Sequence, residues 1–353
     1  MKLDSTKLIC FMPSYNKAQT IVKAIESVLM QKADFAYKLV IIDDCSSDDS
    51  HAIALEYERK YPHKITLLKN SRNLGQLASM NHNAYPLLKD IDYFCVLDPD
   101  DWYIYDKKFA DAIAFLEAHK DFSAYSTNVE IVQSNGKSNK FYGGDKQCVD
   151  FDFSDFKNGK GIFVQTSGSI FRNLYFKDGI DERYLWAMKQ PYAKLFSADG
   201  FRNPWHLKGG KFRFVNRIES VYNYNDNGEW ASLPQCKQYL LNAELNLAFS
   251  DFFSDNDKAF FLQQAKWQYD LAVNEFRRNA KDLIMAHKDD IFRIYMQTYL
   301  CDNPIFDSPN TPPVRVNSWL ENIFSVRKSA DKRHKIITIF GLKFKIKQKS
   351  KEN

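Results

Sequence analysis

No glycine-rich phosphate loop follows the first apolar run of this chain. Neither GxGxxG nor GxxxxGK[ST] stands there, which excludes a dinucleotide fold of the usual kind, a P-loop nucleotidase and a nucleotidylyltransferase with its glycine-rich N-terminal loop. The six cysteines (Cys10, Cys45, Cys95, Cys148, Cys236, Cys301) form no CxxC and no zinc-type pairing with histidine. That pattern excludes a disulfide scaffold or zinc module and leads one to expect reduced thiols in a cytoplasmic setting. No stretch approaches the ~18 continuous apolar residues of a spanning helix. The run from Met1 to Met12 is short and interrupted by Asp4, so no signal peptide is expected. Internal repeats are absent, and the only biased tract is a basic tail.

What is present suits a large enzyme-sized chain. Hydrophobic residues make up 44% and aromatics 15% of 353 residues, enough for a real core. The net charge of +5 hides an asymmetry, because residues 327–353 hold ten Lys/Arg against two Asp/Glu. The other 326 residues carry 39 basic and 42 acidic side chains, a balance of −3. A mildly acidic body argues against nucleic-acid binding, and the basic tail suits contact with an anionic surface.

Apolar runs at Leu8–Met12, Leu39–Ile42, Ile65–Leu68 and Tyr93–Leu97 read as buried strands. Between them, Ile21, Val22, Ile25, Val28 and Leu29 fall on one helix face, Ser46–Asp48 offer helix-start chemistry, and about Gln76–Leu88 reads as a third helix. Strands alternating with helices of 10–15 residues predict an α/β fold, a parallel sheet covered on both faces. Further on, a helix is expected over about Asp106–His119. A strand over Ser123–Val132 closes on the Asn135-Gly136 hairpin signal, and Thr166–Arg172 and Phe212–Tyr224 read as strands. Gln235–Leu300 is helical in pattern.

The chemistry concentrates at Cys95-Val96-Leu97-Asp98-Pro99-Asp100-Asp101-Trp102. A buried strand ends there in three acids within four positions. Such carboxylates repel one another unless a cation sits among them, and Mg²⁺ or Mn²⁺ takes oxygen ligands of this kind and shares them with phosphates. A solvated acidic turn is the bland alternative. A second strand ends in Asp43-Asp44, and the first runs into Pro13-Ser14-Tyr15-Asn16.

Taken in order, Met12-Pro13-Ser14-Tyr15-Asn16, Val40-Ile41-Ile42-Asp43-Asp44 with Ser46 and Asp48-Asp49-Ser50, Asn73-Leu74-Gly75 with Asn81, and Leu97-Asp98-Pro99-Asp100-Asp101 resemble the family 2 inverting glycosyltransferases of the GT-A type. The likeness covers roughly residues 7–232 and is most specific up to Trp102. It implies a GT-A fold, with a mostly parallel sheet and flanking helices, followed by a helical appendage and the tail. It also implies a cytoplasmic transferase using a UDP-sugar and a divalent metal, Mn²⁺ or Mg²⁺.

Under this resemblance Tyr15 stacks on the base, while Pro13, Ser14 and Asn16 line the nucleotide. Asp43 and Asp44 accept hydrogen bonds from base or ribose. Arg72, Gln76 and Asn81 line the donor site, although Arg72 reads equally as an ordinary exposed residue before a turn. Asp98 reaches the ribose or the metal's water shell, and Asp100 ligates the metal directly, with Asp101 in support. The family's base is the Asp of a Glu-Asp pair at a helix start. Here it falls on Asp199, with Ala198 in place of the Glu, and Asp181 and Glu182 are the fallback. A late metal-ligand His is replaced by Asn225-Asp226, and His206 reads as a packing residue. Of the tryptophans, Trp102 is the best candidate for a cleft wall, and Trp186, Trp205 and Trp230 read mostly as core.

The expected division is a transferase domain over 1–232, a helical appendage over 233–303, a proline-bearing linker over 304–326 and the tail over 327–353. In the tail, Leu342–Lys347 alternates strictly and suggests a hairpin turning at Gly341. A basic, apolar-faced tail suits the inner face of a bacterial membrane carrying lipid-linked acceptors, or is an edge strand kept soluble by lysine. The expected acceptor is a growing capsule-like or lipopolysaccharide-like glycan. A reading from another class is a non-catalytic subunit that binds nucleotide sugar or glycan in an assembly complex, favoured by Ala198 and the missing His. Persistent UDP binding without transfer separates the two.

Overall fold

The computed structural model describes residues 6–190, 193–195, 198–224, 230, 232–253, 255–278, 324–328, 334–339 and 342–347. The chain divides into two compact units, Met1–Tyr299 and Leu300–Asn353.

The first unit opens with β1 (Thr6–Ser14), α1 (Ile21–Leu29), β2 (Ala36–Asp43), α2 (Ser50–Lys60) and β3 (Ile65–Lys69). Next come α3 (Gln76–Ser79) and β4 (Tyr93–Val96). The four strands are parallel in the order β3-β2-β1-β4. Leu8 to Met12 are fully buried and alternate between two apolar layers. Ile9 and Phe11 face one side with Val40, Ile42, Phe94 and Val96. Leu8, Cys10 and Met12 face the other with Leu39, Ile41 and the α1 residues Ile21, Ile25 and Val28. Continuous apolar strands buried on both faces are what a helix-covered parallel sheet requires.

The helix expected over Gln76–Leu88 is broken. α3 gives way to a π-turn over Met80–Ala84 and a 3₁₀ turn over Tyr85–Leu88, with Pro86 at its start. Proline has no N–H to give the preceding turn and its ring crowds that turn's carbonyl, which kinks or breaks an α-helix, although the later helix Ala198–Gly209 runs through Pro204.

The chain continues with β5 (Trp102–Tyr103), α4 (Lys108–Ala118), β6 (Phe122–Gln133), β7 (Ser138–Lys140), β8 (Cys148–Phe151) and α5 (Phe153–Lys157). Then follow β9 (Ser169–Arg172), α6 (Glu182–Ala187), α7 (Ala198–Gly209), β10 (Lys211–Tyr224), α8 (Gln235–Phe252) and α9 (Asp255–Arg278). Beyond β4 the sheet becomes mixed. β9 is antiparallel to β4 and β6, β10 is parallel to β6, and β5 is antiparallel to β10. The Asn135-Gly136 hairpin joins β6 to β7, with Gly136 at φ 79°.

Only the second half of the strand expected over Thr166–Arg172 forms. Thr166–Gly168 is a 3₁₀ turn seated on β6, and a Cβ at Gly168 would lie 2.6 Å from the Thr127 carbonyl. Helices α7, α8 and α9 share the first apolar layer through Phe201, Trp205, Phe249, Phe252 and Phe261. Among the described residues no helix is long and apolar enough to cross a membrane.

The second unit holds β11 (Phe324–Lys328), β12 (His334–Ile339) and β13 (Leu342–Lys347), an antiparallel sheet in that order. Ile339 pairs with Leu342, the hairpin that the alternation predicts. The proline-bearing segment Pro304–Pro313, Asn225 and Asp226 lie outside the described residues.

Candidate active site

Parallel register brings the chemistry to one edge. Ser14 pairs with Asp43, and Phe11 pairs with Val96 two residues before Asp98. The ends of β1, β2 and β4 therefore meet where open α/β sheets bind ligands. Pro13 is half-buried, Ser14 is buried, and Tyr15 lies 46% exposed with its ring free for stacking. Asn16 adopts φ 53°, a left-handed conformation that Asn tolerates better than most residues. Its side-chain oxygen accepts from the Ser47 backbone N–H at 2.8 Å, and its own N–H donates to Ser46 Oγ at 3.0 Å.

The neighbouring acids Asp43 and Asp44 differ in what they hold. Asp44 Oδ1 accepts from Asn70 Nδ2 at 2.7 Å and from the Leu74 N–H at 2.9 Å, while Oδ2 accepts from the Gly75 N–H at 2.8 Å. Asp44 thus fastens the loop that leads into α3, at a point where Gly75 takes φ 79°. Asp43 Oδ1 accepts from the Ser46 N–H at 3.2 Å. Its buried Oδ2 lies 3.2 Å from His51 Nδ1 but has no hydrogen-bond partner, and Ser14 Oγ is buried without one as well. Buried orphan polar atoms at a strand edge suit a ligand rich in donors and acceptors.

At the end of β4, burial and then the charge of Asp100 push the Asp98 carboxyl up to about 6, against the pull of Arg202 and Lys17. Gln76 Nε2 reaches Asp98 Oδ1 at 3.4 Å. Asp100 is paired with the Lys17 ammonium. Asp101 is 1% exposed and raised well above the carboxylate range by burial and by its two acidic neighbours. Its oxygens accept from the Asn223 N–H at 3.0 Å and from Gln165 Nε2 at 3.5 Å. It ties β10 and the 165–168 turn to the acid cluster. Among the described residues no group of three or more His, Cys, Asp or Glu is arranged to hold a metal. Asp98, and Asp100 once its Lys17 partner is displaced, would be the acids to hold a cation, whose charge would relieve their repulsion. A hard divalent ion that takes its other oxygens from phosphate and water fits such a pair.

Across the cleft, Asp199 stands in the first turn of α7. Burial raises its carboxyl, and Arg202, the Gly200 N–H and the Thr166 hydroxyl lower it. Arg202 is 6% exposed, donates from Nη2 to Thr166 Oγ1 at 3.3 Å, and leaves Nε unpartnered. Arg202 is not among the site candidates of the sequence, whereas Thr166 opens a run of small residues of the kind that lines a cleft. The i, i+3 spacing of Asp199 and Arg202 on one helix face is the signal that could have found the arginine.

The remaining candidates scatter. Asn81 bonds Tyr184 and meets Met188 Sδ at 3.1 Å, so its partners lie on and just after α6. Arg72 is exposed in the loop. Asp181 caps α6 by accepting from the Tyr184 N–H at 3.1 Å, and Glu182 is exposed in the first turn. His206 is buried against Phe94, Phe171 and Tyr175, which holds its imidazole down to about 3. Trp205 stacks on Tyr175 and Tyr184 in the core. Trp186 and Trp230, expected to be mostly core, are 45% and 48% exposed. Trp102 is partly buried, with Lys23 Nζ 3.2 Å over its ring. A pocket lined by Asp92, Tyr93, Arg172 and Lys177 sits where β4 begins and β9 ends, away from this edge.

The Glycosyl transferase family 2 model matches residues 9–179. The chain is 30% identical over 130 residues to the putative glycosyltransferase EpsE of Bacillus subtilis, covering 37% of this chain and 45% of that one. It is 31% identical over 135 residues to the dTDP-rhamnosyl transferase RfbG of Shigella flexneri, covering 36% and 44%. The chain thus spans about half the length of the curated relatives it matches. Among solved structures, TarS 1–349 of S. aureus in complex with UDP-GlcNAc aligns at TM-score 0.47 and 13% identity, over 97% of this chain and 99% of that one. Residues 9–179, just under half of the chain and running from β1 past the acidic edge to β9, are similar to glycosyl transferase family 2.

Proposed function

We propose that the protein is a metal-dependent inverting glycosyltransferase of GT-A type that moves a sugar from a UDP-sugar to a hydroxyl of a growing cell-surface glycan. The observation that carries this reading is the partition of acids at one sheet edge. Asp43 keeps a buried oxygen without a hydrogen bond, Asp98 and Asp100 repel each other at the end of β4, and the charge of Asp199 on α7 acts on Asp98.

In this reading Tyr15 covers the base, and Ser14 and Asp43 hydrogen-bond the nucleoside. Gln76, Arg72 and Asn16 border the donor, and Asn81 supports it through Tyr184. Asp98 and Asp100 hold Mn²⁺ or Mg²⁺, which supplies Lewis acidity to the diphosphate leaving group. Asp199 takes the proton of the acceptor hydroxyl on the face opposite the leaving group, so the displacement is single and the anomeric centre inverts. Burial raises the Asp199 carboxyl overall, which makes it more basic, while the Arg202 charge and the Thr166 hydroxyl partly offset that rise.

The acceptor class, a capsule-like or lipopolysaccharide-like glycan met at the inner membrane face through the basic tail, draws support from the tail's charge. Thermal shift with a panel of UDP-sugars, with and without Mn²⁺, tests the donor reading. Metal-dependent stabilisation by at least one is expected. Absence of any shift, together with no UDP binding at millimolar concentration, contradicts it.

A further inference from the structure

Among the described residues, Lys17 is the cation in direct ion-pair contact with Asp100. Its ammonium pairs with Asp100 Oδ2, and it also lowers the Asp98 carboxyl. The residue is tethered at its backbone, where its N–H donates to Ser50 Oγ at 2.7 Å, just beyond the Pro13–Asn16 loop. Its side chain is 36% exposed, against 24% for Asp100. The head group is therefore held near the strand edge by a fixed backbone and a flexible stem.

We propose that Lys17 exchanges partners during donor binding, occupying Asp100 while the site lacks metal and moving to the donor diphosphate when the metal arrives. This rests on the reading of Asp100 as a metal ligand. The physical case is one of competition. A monovalent ammonium on a carboxylate offsets part of the repulsion between Asp98 and Asp100, so bare metal must displace it. A partly exposed ion pair is weak enough to be displaced. Once displaced, the ammonium lies within the reach of its stem from a dianionic diphosphate held at the same acids, and a charge-assisted bond to phosphate is stronger than the pair it replaces. A lysine ammonium, a compact point charge on a rotatable stem, suits such a change of partner better than a planar guanidinium does.

The exchange predicts effects of opposite sign from one substitution. In Lys17→Met, Mn²⁺ alone, measured by electron paramagnetic resonance titration of the full chain, should bind about 3-fold more tightly, since the competing ion pair is gone. UDP in saturating Mn²⁺, measured by calorimetry, should bind about 10-fold more weakly, since a charge-assisted hydrogen bond is lost. Lys17→Arg should keep wild-type values within about 3-fold in both titrations, because the charge remains. Thermal midpoints of both variants show whether the fold is intact.

Tighter Mn²⁺ together with weaker UDP supports the exchange, and either effect without the other overturns it. Wild-type protein that binds neither Mn²⁺ nor UDP contradicts the underlying site reading instead. Wild-type binding with an unchanged Lys17→Met overturns only the exchange.

Discussion

The two sides of the cleft are built by different means. The proposed donor side is local: Pro13–Asn16, Asp43-Asp44 and Asp98–Asp101 are short runs at the ends of adjacent parallel strands, brought together by register alone. The surroundings of Asp199, the proposed base, are assembled from distant segments. Asp199 comes from α7, Thr166 from the turn that Gly168 seats on β6, and Arg202 from one helical turn further on. Local runs give a site that a motif can describe, while distributed contacts tune a single carboxyl and leave no motif. Accordingly the family match covers residues 9–179 and stops short of Asp199.

The sharpest way to separate the sides is Asp199→Asn. Transfer should fall by about 10²–10⁴-fold, the usual contribution of a general base, while UDP affinity in Mn²⁺ stays within about 2-fold. Near wild-type transfer would break the comparison and move the base elsewhere, with Asp181 and Glu182 the first places to look.

Asp43 and Asp44 test the donor side from within. Asp44→Ala strands the Asn70, Leu74 and Gly75 donors and should cost roughly 2–4 kcal/mol of stability in urea unfolding. Asp43→Ala should leave stability within about 1 kcal/mol and weaken UDP about 10-fold, as loss of a ligand hydrogen bond does. Equal effects of the two substitutions on stability would show that the neighbours share one role.

The smallest effect concerns Asp98. Its folded carboxyl, at about 6, lies above the unfolded value near 3.9, so the folded state binds the proton more tightly. The stability this contributes is complete below about pH 4 and is lost as pH rises through about 6. Asp98→Asn mimics the neutral form. It should gain about 1 kcal/mol at pH 7.5 and nothing at pH 4, allowing for water at a partly exposed group. A gain of equal size at both pH values would refute the burial-and-repulsion origin of the shift.

The strands of the parallel half and the acids at their ends were legible because burial on two faces imposes uninterrupted apolar runs that stop at the ligand edge. The uses of those acids were not. Asp44 reads as a contact to base or ribose and Asp101 as a support for its neighbours, yet their oxygens are taken up by the Gly75 and Asn223 backbone N–H groups, and no local pattern encodes those pairings. The helix over Gln76–Leu88 gives way at Met80 to a π-turn and then to a 3₁₀ turn holding Pro86, a breaker visible in the sequence that the apolar pattern outweighed. The strand over Thr166–Arg172 failed for a reason visible only in three dimensions, the backbone contact that needs glycine at 168.

The central claim is that acids at the ends of β2 and β4 bind a nucleotide sugar with metal while Asp199 alone deprotonates the acceptor. Its most direct test is release of UDP from UDP-sugars by wild type, Asp100→Ala and Asp199→Ala in Mn²⁺ and in excess EDTA, alongside UDP calorimetry of each. Mn²⁺-dependent release by wild type is predicted, with Asp100→Ala losing metal-dependent UDP binding and Asp199→Ala keeping that binding without turnover. Release that is indifferent to EDTA, or undiminished in Asp199→Ala, would contradict it.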